Sequence, residues 1–265
     1  MKYSSIPIGE AHLDTYIMDD LMPEQREKRP LVLVCPGGGY GMTASHEGEP
    51  IALRMNAMGF HSAVLWYSVA PSVFPKALTE LAKAVDLVRQ HADTWSVDED
   101  RIIVLGFSAG GHLAASLGVF WNRPFLAEAA KLSPDQMKPN GLVLCYPVIT
   151  SGEFAHRGSF ENLMGHADDP ELLHMLSLET QVTAEVPPTF LWHTWDDEAV
   201  PVENALLLAT ALKKADVSME LHIYKHGVHG LSLANELTVG SKPQYVGYEA
   251  CGSWPDLAGQ WIHSL

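Results

Sequence analysis

Cysteine and basic residues are scarce in this chain. Its 265 residues include three cysteines, Cys35, Cys145 and Cys251, which are too few and too scattered for a disulfide framework or a zinc site. Cys35 and Cys145 end apolar runs, so we expect buried core thiols there. Lysine and arginine total 17 against 32 acidic residues, which gives a net charge of -15. Nucleic acids and anionic membranes attract basic surfaces, so neither is an expected partner.

Long apolar stretches are missing as well. No run approaches the roughly 20 residues that span a bilayer. The first residues, Met1–Pro7, lack the continuous apolar core of a signal peptide, and acidic residues such as Glu10 and Asp14 follow soon after. The sequence as given therefore predicts a cytoplasmic location. It also contains no internal repeat and no low-complexity segment.

Strand-like and helix-like segments alternate along the chain, which is typical of the α/β class, a mostly parallel sheet with helices on both faces. With 47% hydrophobic and 18% charged residues, the whole chain, 1–265, can bury one large core as a single domain. The predicted strands are Leu31–Cys35, Ser62–Trp66, Ile102–Leu105, Leu142–Tyr146, Thr189–Trp192 and Glu220–Tyr224. The predicted helices are Pro50–Met58, Lys76–His91, Ser108–Leu117, Glu203–Lys214 and Trp254–Ser264.

The segment from about Val148 to Glu185 interrupts this alternation. It lacks a core strand and contains prolines, several acids and one short helical stretch, Pro170–Leu176. Loops carried by a rigid sheet often hold binding residues, which favours a small cap-like insertion at about 148–185 that forms part of a substrate pocket. An ordinary surface connection that covers the sheet is an equally weighted alternative.

The clearest chemical signal is the motif Gly106-Phe107-Ser108-Ala109-Gly110. It follows an apolar run and precedes small residues, so a strand, a sharp turn and a helix succeed one another. Glycines on both sides of the serine allow the strand and the helix to approach each other. In this context G-x-S-x-G is typical of a nucleophile turn, which predicts Ser108 as the nucleophile. By itself the motif is weak, because a glycine-rich chain can contain it by chance.

A second glycine cluster, PGGGYG at 36–41, also ends an apolar run. Bare backbone amides suit an oxyanion, and preorganised N–H donors each stabilise it by about 3 to 4 kcal/mol. The predicted oxyanion donors are the amides of Gly38, Gly39 and Ala109, with Tyr40 as an alternative donor. A phosphate loop is disfavoured, because Met42 stands where G-x-G-x-x-G needs its third glycine and no Gly-Lys-Ser/Thr follows.

A serine nucleophile needs a base and a group that orients the base. The loop after the strand at 189–192 carries three competing acids, Asp196, Asp197 and Glu198, and Asp196 can also be a turn-stabilising residue. HGVHG at 226–230 follows the last predicted strand. We predict His229 as the base, because the glycine after it lets its ring turn toward the serine, and His226 is the competing candidate. Most of the 13 histidines must be structural or solvated, so no function is assigned to His46, His61, His91, His156 and His174.

Taken together, these motifs resemble the acetyl xylan esterase and feruloyl esterase-like branch of the α/β hydrolases, related to the hormone-sensitive-lipase and kynurenine-formamidase groups. The resemblance covers nearly the whole chain. Its carriers are PGGGY at 36–40, EGEP at 47–50, VAP at 69–71, GFSAGGH at 106–112, WHT at 192–194 and HGVHG at 226–230. It implies an α/β-hydrolase fold and a catalytic triad in the chain order Ser108, Asp197, His229. The family pattern D-x-x-V-P selects Asp197, three residues before Val200.

Two positions depart from the family pattern. Pro36 replaces the histidine that precedes the glycines in lipase-like relatives, so the hydrogen bond of that histidine must be missing or replaced. Ser68 stands where related sequences often carry arginine in a Tyr-Arg-Val-Ala-Pro run, which calls into question any ion pair from that site.

The resemblance implies a serine carboxylic-ester hydrolase without metal or organic cofactor that removes acetyl groups from xylan-type oligosaccharides through an acyl-enzyme. A short aliphatic or aryl ester, an arylformamide and a peptide-like amide stay open as other substrates. A binding protein on a hydrolase scaffold is the alternative outside enzymes, and it is disfavoured because such a relative would usually have lost part of these motifs. The residues expected to line the substrate pocket are Tyr40, His112 and Trp195.

Overall fold

One mixed sheet organises the part of the chain that the computed structural model describes, which is residues 1–19, 28–165, 168–239 and 248–265. Its strands in chain order are β1 (Lys2–Ile8), β2 (Ala11–Ile17), β3 (Arg29–Cys35), β4 (His61–Trp66), β5 (Val97–Phe107), β6 (Gly141–Cys145), β7 (Thr189–Thr194) and β8 (Met219–Tyr224). They lie side by side in the order β1-β2-β4-β3-β5-β6-β7-β8.

The sheet is mostly parallel, as the alternating segments predict. Only β1/β2 and β2/β4 pair antiparallel in the described sheet, and the other five neighbouring pairs are parallel. The chain passes from β3 to β4 on one side and then to β5 on the other side of β3. In open α/β sheets a crevice forms at such a switch point, outside the carboxyl ends of the strands. The two glycine motifs follow β3 and β5, so the topology brings them to this crevice.

Helices cover both faces of the sheet. Those in the described residues are α1 (Glu49–Ala57), α2 (Lys76–Gln90), α3 (Ala92–Trp95), α4 (Ser108–Phe120), α5 (Pro124–Ala130), α6 (Pro134–Met137), α7 (Arg157–Met164), α8 (Pro170–Met175), α9 (Glu203–Lys214), α10 (Glu236–Val239) and α11 (Trp254–Ser264). Short 3₁₀ turns lie at Ser45–Glu47, Leu178–Thr180 and Glu249–Ser253. Within the described ranges, no helix is both long enough and apolar enough to cross a membrane.

The core has one layer on each face of the sheet, and β3 shows how the sequence encodes this. Leu31 and Leu33 face a layer that includes side chains of α2, α4 and α9, while Val32 and Val34 face a layer with side chains of α1 and α11. Strands buried on both faces read as continuous apolar runs. That is why the six predicted strands were visible in the sequence, and all six are confirmed within a few residues, apart from an earlier start of β5.

The antiparallel pair β1 and β2 was not predicted. Ile8 pairs with Ala11, so Gly9 and Glu10 form the connecting turn, with a φ of 68° at Gly9. Most side chains of β1 are exposed, so this strand lacks the apolar run that marks the others. Several short helices were missed as well, among them α7 inside the segment 148–185. The predicted buried thiols at Cys35 and Cys145 are confirmed.

Candidate active site

Ser108 lies at the junction between β5, which ends at Phe107, and α4, which begins at Ser108 itself. Its φ of 51° lies in the left-handed region, a conformation that costs energy for a residue other than glycine. The flanking glycines make room for this turn. A Cβ atom on Gly106 would lie 2.1 Å from the carbonyl oxygen of Gly110, and one on Gly110 would lie 2.1 Å from that of Cys35. The strand, turn and helix predicted around the motif are therefore present.

A continuous row of hydrogen bonds begins at the Ser108 side chain. Its Oγ lies 2.8 Å from Nε2 of His229, and Nδ1 of the same ring lies 2.7 Å from Oδ2 of Asp197. The other carboxylate oxygen of Asp197 accepts the amide N–H groups of Ala199 and Val200, both at 3.0 Å. The serine and the aspartate are buried, and the histidine is half-buried. Two hydrogen bonds in series thus connect three side chains from distant parts of the sequence.

The charge state of Asp197 follows from two opposing effects. Burial by itself raises the pKa of Asp197, but the hydrogen bond from His229, the charge of that ring and the amide of Val200 together hold the pKa below its usual range. The carboxylate is therefore ionised near neutral pH and accepts the Nδ1–H of His229. This leaves Nε2 without a proton and facing the serine hydroxyl, the tautomer that a general base requires.

The neighbouring acids take other positions. Asp196 is exposed, and its carboxylate bonds Nδ1 of His226 at 2.9 Å and the amide of Gly227 at 2.7 Å. The bond from His226 lowers the pKa of Asp196. Glu198 points to solvent. Although two acid–histidine pairs lie on these loops, the described part of the chain holds no group of three or more His, Cys, Asp or Glu side chains suited to a metal ion.

The glycine turn after β3 lies against the serine. A Cβ atom on Gly37 would be 2.9 Å from Cβ of Ser108, and Gly38 and Gly39 both have positive φ angles, of 128° and 63°. Within the described ranges, no protein acceptor pairs with the backbone amides of Gly38, Gly39 or Ala109. These three N–H groups are therefore free to bind an oxygen atom, and their role as oxyanion donors stays a prediction.

Glu47 is a buried site residue to which the sequence assigned no role, although it opens the EGEP segment. Its carboxylate accepts the amide of Gly37 at 2.8 Å and the hydroxyl of Tyr146 at 2.6 Å. The same hydroxyl oxygen accepts the amide of Ser232 at 2.9 Å, and the tyrosine ring packs edge-to-face with that of His229, with centroids 5.0 Å apart. Burial raises the pKa of Tyr146 well above its usual range, so its hydroxyl stays a donor. Glu47 thus connects the glycine turn to the loop that carries the histidine.

The segment 148–185 also packs on the glycine turn. Asn162 of α7 donates a hydrogen bond to the carbonyl of Gly39 at 2.9 Å. His156, directly before α7, is half-buried, and its Nδ1 lies 2.8 Å from Oγ of Ser159. Its Cε1 lies 3.9 Å from the position that a Cβ on Gly39 would occupy. Nothing in the local sequence distinguishes this histidine from the others, so only the packing of α7 reveals its place beside the site.

The three residues expected to line a pocket lie in different surroundings. Tyr40 and His112 are 3% and 1% exposed, and the tyrosine Oη lies 2.9 Å from Nδ1 of His112. Nε2 of His112 donates to the carbonyl of Leu176 at 2.9 Å, which links α4 to the segment 148–185. Trp195 is 62% exposed at the start of the loop that carries Asp197. Of the three, only Trp195 is open to a ligand here, and substrate contact stays a prediction for all of them.

The two departures from the family pattern have local partners. The amide and hydroxyl of Ser68 donate to the two carboxylate oxygens of Glu80 at 2.8 and 2.7 Å, so this buried carboxylate receives hydrogen bonds from serine. Lys76 supplies a cation 3.9 Å from the same carboxylate. The carbonyl oxygen of Pro36 accepts a 2.6 Å hydrogen bond from the hydroxyl of Tyr67, which anchors the start of the glycine turn.

We expect the stability of the fold to fall in mild acid because of two buried histidines. Burial lowers the pKa of both His112 and His193 to about 4, whereas an unfolded histidine titrates near 6.5. Below pH 6.5 the unfolded chain binds these protons and the folded chain does not, so the free energy of unfolding decreases as the pH falls toward 4. By linkage, each histidine should cost about 2 kcal/mol between pH 7 and pH 5. Urea unfolding at both pH values measures this loss.

The variant His112→Gln should be less stable at pH 7, because it loses the fit to Tyr40 and Leu176, but its stability should depend less on pH. His174→Gln, which changes an exposed histidine, should keep the pH dependence of the parent chain. An unchanged pH dependence in His112→Gln would contradict the neutral buried state of His112.

Known proteins resemble this chain over most of its length. The family model described as BD-FAE matches residues 18–212. The endo-1,4-beta-xylanase B of Butyrivibrio fibrisolvens is 36% identical over 218 residues, covering 79% of this chain and 33% of that protein. The acetylxylan esterase of Xylanibacter ruminicola is 30% identical over 215 residues, covering 79% of this chain and 42% of that protein. The chain therefore spans less than half the length of these curated relatives.

Solved structures also match nearly end to end, among them the following two. The acetyl ester-xyloside bifunctional hydrolase from Caldicellulosiruptor lactoaceticus is 40% identical with a TM-score of 0.84, covering 98% of this chain and 96% of that chain. The carboxylesterase Cest-2923 from Lactobacillus plantarum WCFS1 is 30% identical with a TM-score of 0.88, covering 100% and 98%. The predicted α/β-hydrolase fold and the predicted family are confirmed by these matches. The chain belongs to the BD-FAE family of α/β hydrolases.

Proposed function

We propose that this chain is a serine carboxylic-ester hydrolase that works through an acyl-enzyme. The observation that carries the proposal is the unbroken row from Ser108 Oγ through His229 to Asp197, with contacts of 2.8 and 2.7 Å. The esterase and hydrolase names of its relatives agree with this chemistry. A protein that only binds a ligand would not need a hydrogen-bonded serine, histidine and aspartate beside a set of unpaired amides.

The proposed reaction uses these groups in sequence. His229 Nε2 takes the hydroxyl proton of Ser108 while Oγ bonds to the carbonyl carbon of the ester, and Asp197 stabilises the imidazolium that results. The carbonyl oxygen becomes negative and accepts the unpaired amides of Gly38, Gly39 and Ala109. As the ester C–O bond breaks, the imidazolium returns the proton to the departing alcohol. A water molecule then attacks the acyl-serine by the same route, which releases the acid and restores the serine.

The proposed substrate is an acetyl ester of a sugar hydroxyl in a xylan-type oligosaccharide. Two relatives carry acetylxylan esterase and acetyl ester-xyloside hydrolase in their names, which supports both the acyl and the alcohol part. The exposed indole of Trp195, on the same loop as the triad acid, offers a flat apolar face of the kind that binds a sugar ring. A general short-chain carboxylesterase is the second candidate, favoured by the likeness to the Lactobacillus enzyme.

The length of the acyl chain tests this substrate. A pocket closed around an acetyl group excludes longer chains, whereas an open apolar groove gains up to about 0.8 kcal/mol for each added methylene. We therefore expect kcat/KM to fall steadily from p-nitrophenyl acetate through butyrate and hexanoate to octanoate. Release of acetate from acetylated xylo-oligosaccharides, measured by an enzyme-coupled acetate assay, tests the alcohol part.

The two measurements separate the candidates. A falling series together with acetate release supports the sugar deacetylase. A falling series without acetate release from any acetylated sugar leaves the short-chain carboxylesterase. A kcat/KM that climbs through octanoate refutes the deacetylase, because it requires a groove that accepts long chains.

A further inference from the structure

We propose that His156 hydrogen-bonds to a free hydroxyl on the alcohol part of the substrate, and that this contact makes the site favour sugar esters over esters of simple alcohols. The inference rests on the proposed esterase function and adds a specificity-determining residue to it. It comes from three features of this histidine, which are its position, its unused ring nitrogen and its charge state, together with the chemistry of an acetyl ester.

The position of His156 is set by α7, which is anchored to the glycine turn after β3. Asn162 bonds the carbonyl of Gly39, and the ring of His156 approaches the same glycine through Cε1, the carbon between its two nitrogens. The ring is half-buried, so part of it stays accessible next to this turn. It lies near enough to the triad for its protonation to respond to both His229 and Asp197.

One nitrogen of this ring is engaged and the other is not. Nδ1 pairs with the buried hydroxyl of Ser159 at 2.8 Å, which fixes the ring plane. Nε2 makes no hydrogen bond to any of the residues that the structure describes. Whichever atom donates in the pair with Ser159, Nε2 retains one hydrogen-bonding position, as either donor or acceptor. A sugar hydroxyl can satisfy both cases, because it donates and accepts.

The ring is neutral near neutral pH. Burial lowers the pKa of His156, the nearby His229 lowers it further, and Asp197 opposes the change only in part. A neutral imidazole suits an uncharged hydroxyl partner better than it suits a carboxylate or phosphate, which a cation would attract more strongly. The acidic chain, with its net charge of -15, likewise disfavours an anionic ligand.

The chemistry of the ester decides which part of the substrate Nε2 meets. An acetyl group has one polar atom, the carbonyl oxygen, and the amides of Gly38, Gly39 and Ala109 already serve it in the proposed mechanism. Any further hydrogen bond must therefore go to the alcohol. The alcohol oxygen must lie beside His229, because it takes its proton from that ring, and His156 packs against Gly39 of the same site. A sugar presents more hydroxyls at this place, whereas an aryl alcohol presents none.

The test compares two substrates that share the acetyl group, acetylated xylobiose and p-nitrophenyl acetate. His156→Phe keeps a flat ring and removes the ring nitrogens, so kcat/KM for acetylated xylobiose should fall about five- to tenfold while that for p-nitrophenyl acetate changes less than about twofold. Ser159→Ala, a milder change, should give a smaller loss in the same direction because the ring is no longer fixed. His174→Phe, at an exposed histidine of the same segment, should leave both rates unchanged.

Equal losses on both substrates would overturn the inference, because they would make His156 an aid to the oxyanion or to folding. Unchanged release from acetylated xylobiose in His156→Phe would overturn it as well. If His156→Phe does not fold, Ser159→Ala decides the question. A loss of kcat/KM for acetylated xylobiose alone supports the inference, and an equal relative change on both substrates opposes it. A parent chain that hydrolyses the aryl ester but releases no acetate from any sugar refutes the deacetylase proposal itself, a result seen before any variant is made.

Discussion

Replacing Ser108 by alanine should remove nearly all ester hydrolysis and leave the fold intact. The change deletes one oxygen atom, the proposed nucleophile, and keeps the backbone of the strained turn. Loss of the serine in a triad lowers kcat by about 10⁶-fold, and the remaining rate comes from binding and oxyanion stabilisation. Initial rates with p-nitrophenyl acetate measure the loss, and thermal unfolding followed by circular dichroism checks the fold.

A matched control lies on the same helix. Ser116 is also a buried serine of α4, with its Oγ 3.5 Å from Nδ1 of His112, and Ser116→Ala should keep most of the activity. A serine-reactive phosphonate should label the parent chain once, on Ser108, and should not label Ser108→Ala. A label on another residue, or a parent-like rate in Ser108→Ala, would remove Ser108 from the mechanism.

The central sheet and the serine turn could be predicted because their requirements are local. A strand segment buried on both faces must be apolar throughout, as β3 is from Leu31 to Cys35, and the turn at Ser108 needs Gly106 and Gly110 within two residues on either side. The hairpin of β1 and β2 could not be predicted in the same way. Its outer strand faces solvent, so water rather than a core determines its side chains, and no apolar run marks it.

Local sequence alone could not identify which of the neighbouring acids pairs with His229. Three acids in a row are equivalent by composition, and the family pattern alone selected Asp197. The physical difference appears only in three dimensions, where Asp197 is buried between two loop amides and the ring of His229, and Asp196 is exposed beside His226. Burial makes the orientation of a carboxylate count, because water cannot replace a lost partner there.

The positions of Glu47 and His156 at the site could not be predicted from the sequence for a related reason. Glu47 acts through Tyr146, 99 positions away, and His156 approaches Gly39 across more than a hundred positions. Such contacts depend on how β6 and α7 pack, and no spacing along the chain encodes them. The EGEP segment, which the family resemblance includes, begins at Glu47, but the pattern does not indicate that this carboxylate is buried.

Asp197→Asn should lower kcat by about 10⁴-fold with little change in KM, because it leaves the histidine in the wrong tautomer. The loop itself dictates this outcome. The amides of Ala199 and Val200 both donate to Oδ1 of the aspartate, so the asparagine must place its carbonyl oxygen there and turn its NH₂ group toward His229. That group donates to Nδ1, the ring proton moves to Nε2, and the ring can no longer accept the proton of Ser108. Steady-state kinetics on p-nitrophenyl acetate measure the effect.

Asp196→Asn is the natural control, since it makes the same chemical change one residue earlier. Asp196 bonds an exposed histidine, and an exposed pair of this kind contributes about 0 to 1 kcal/mol, so kcat should fall less than about fivefold and the melting temperature should change little. If the two asparagine variants showed the opposite order, the catalytic acid would be Asp196 and the buried carboxylate at 197 would only brace the loop. The expected order instead follows from which carboxylate the loop buries against the histidine that faces Ser108.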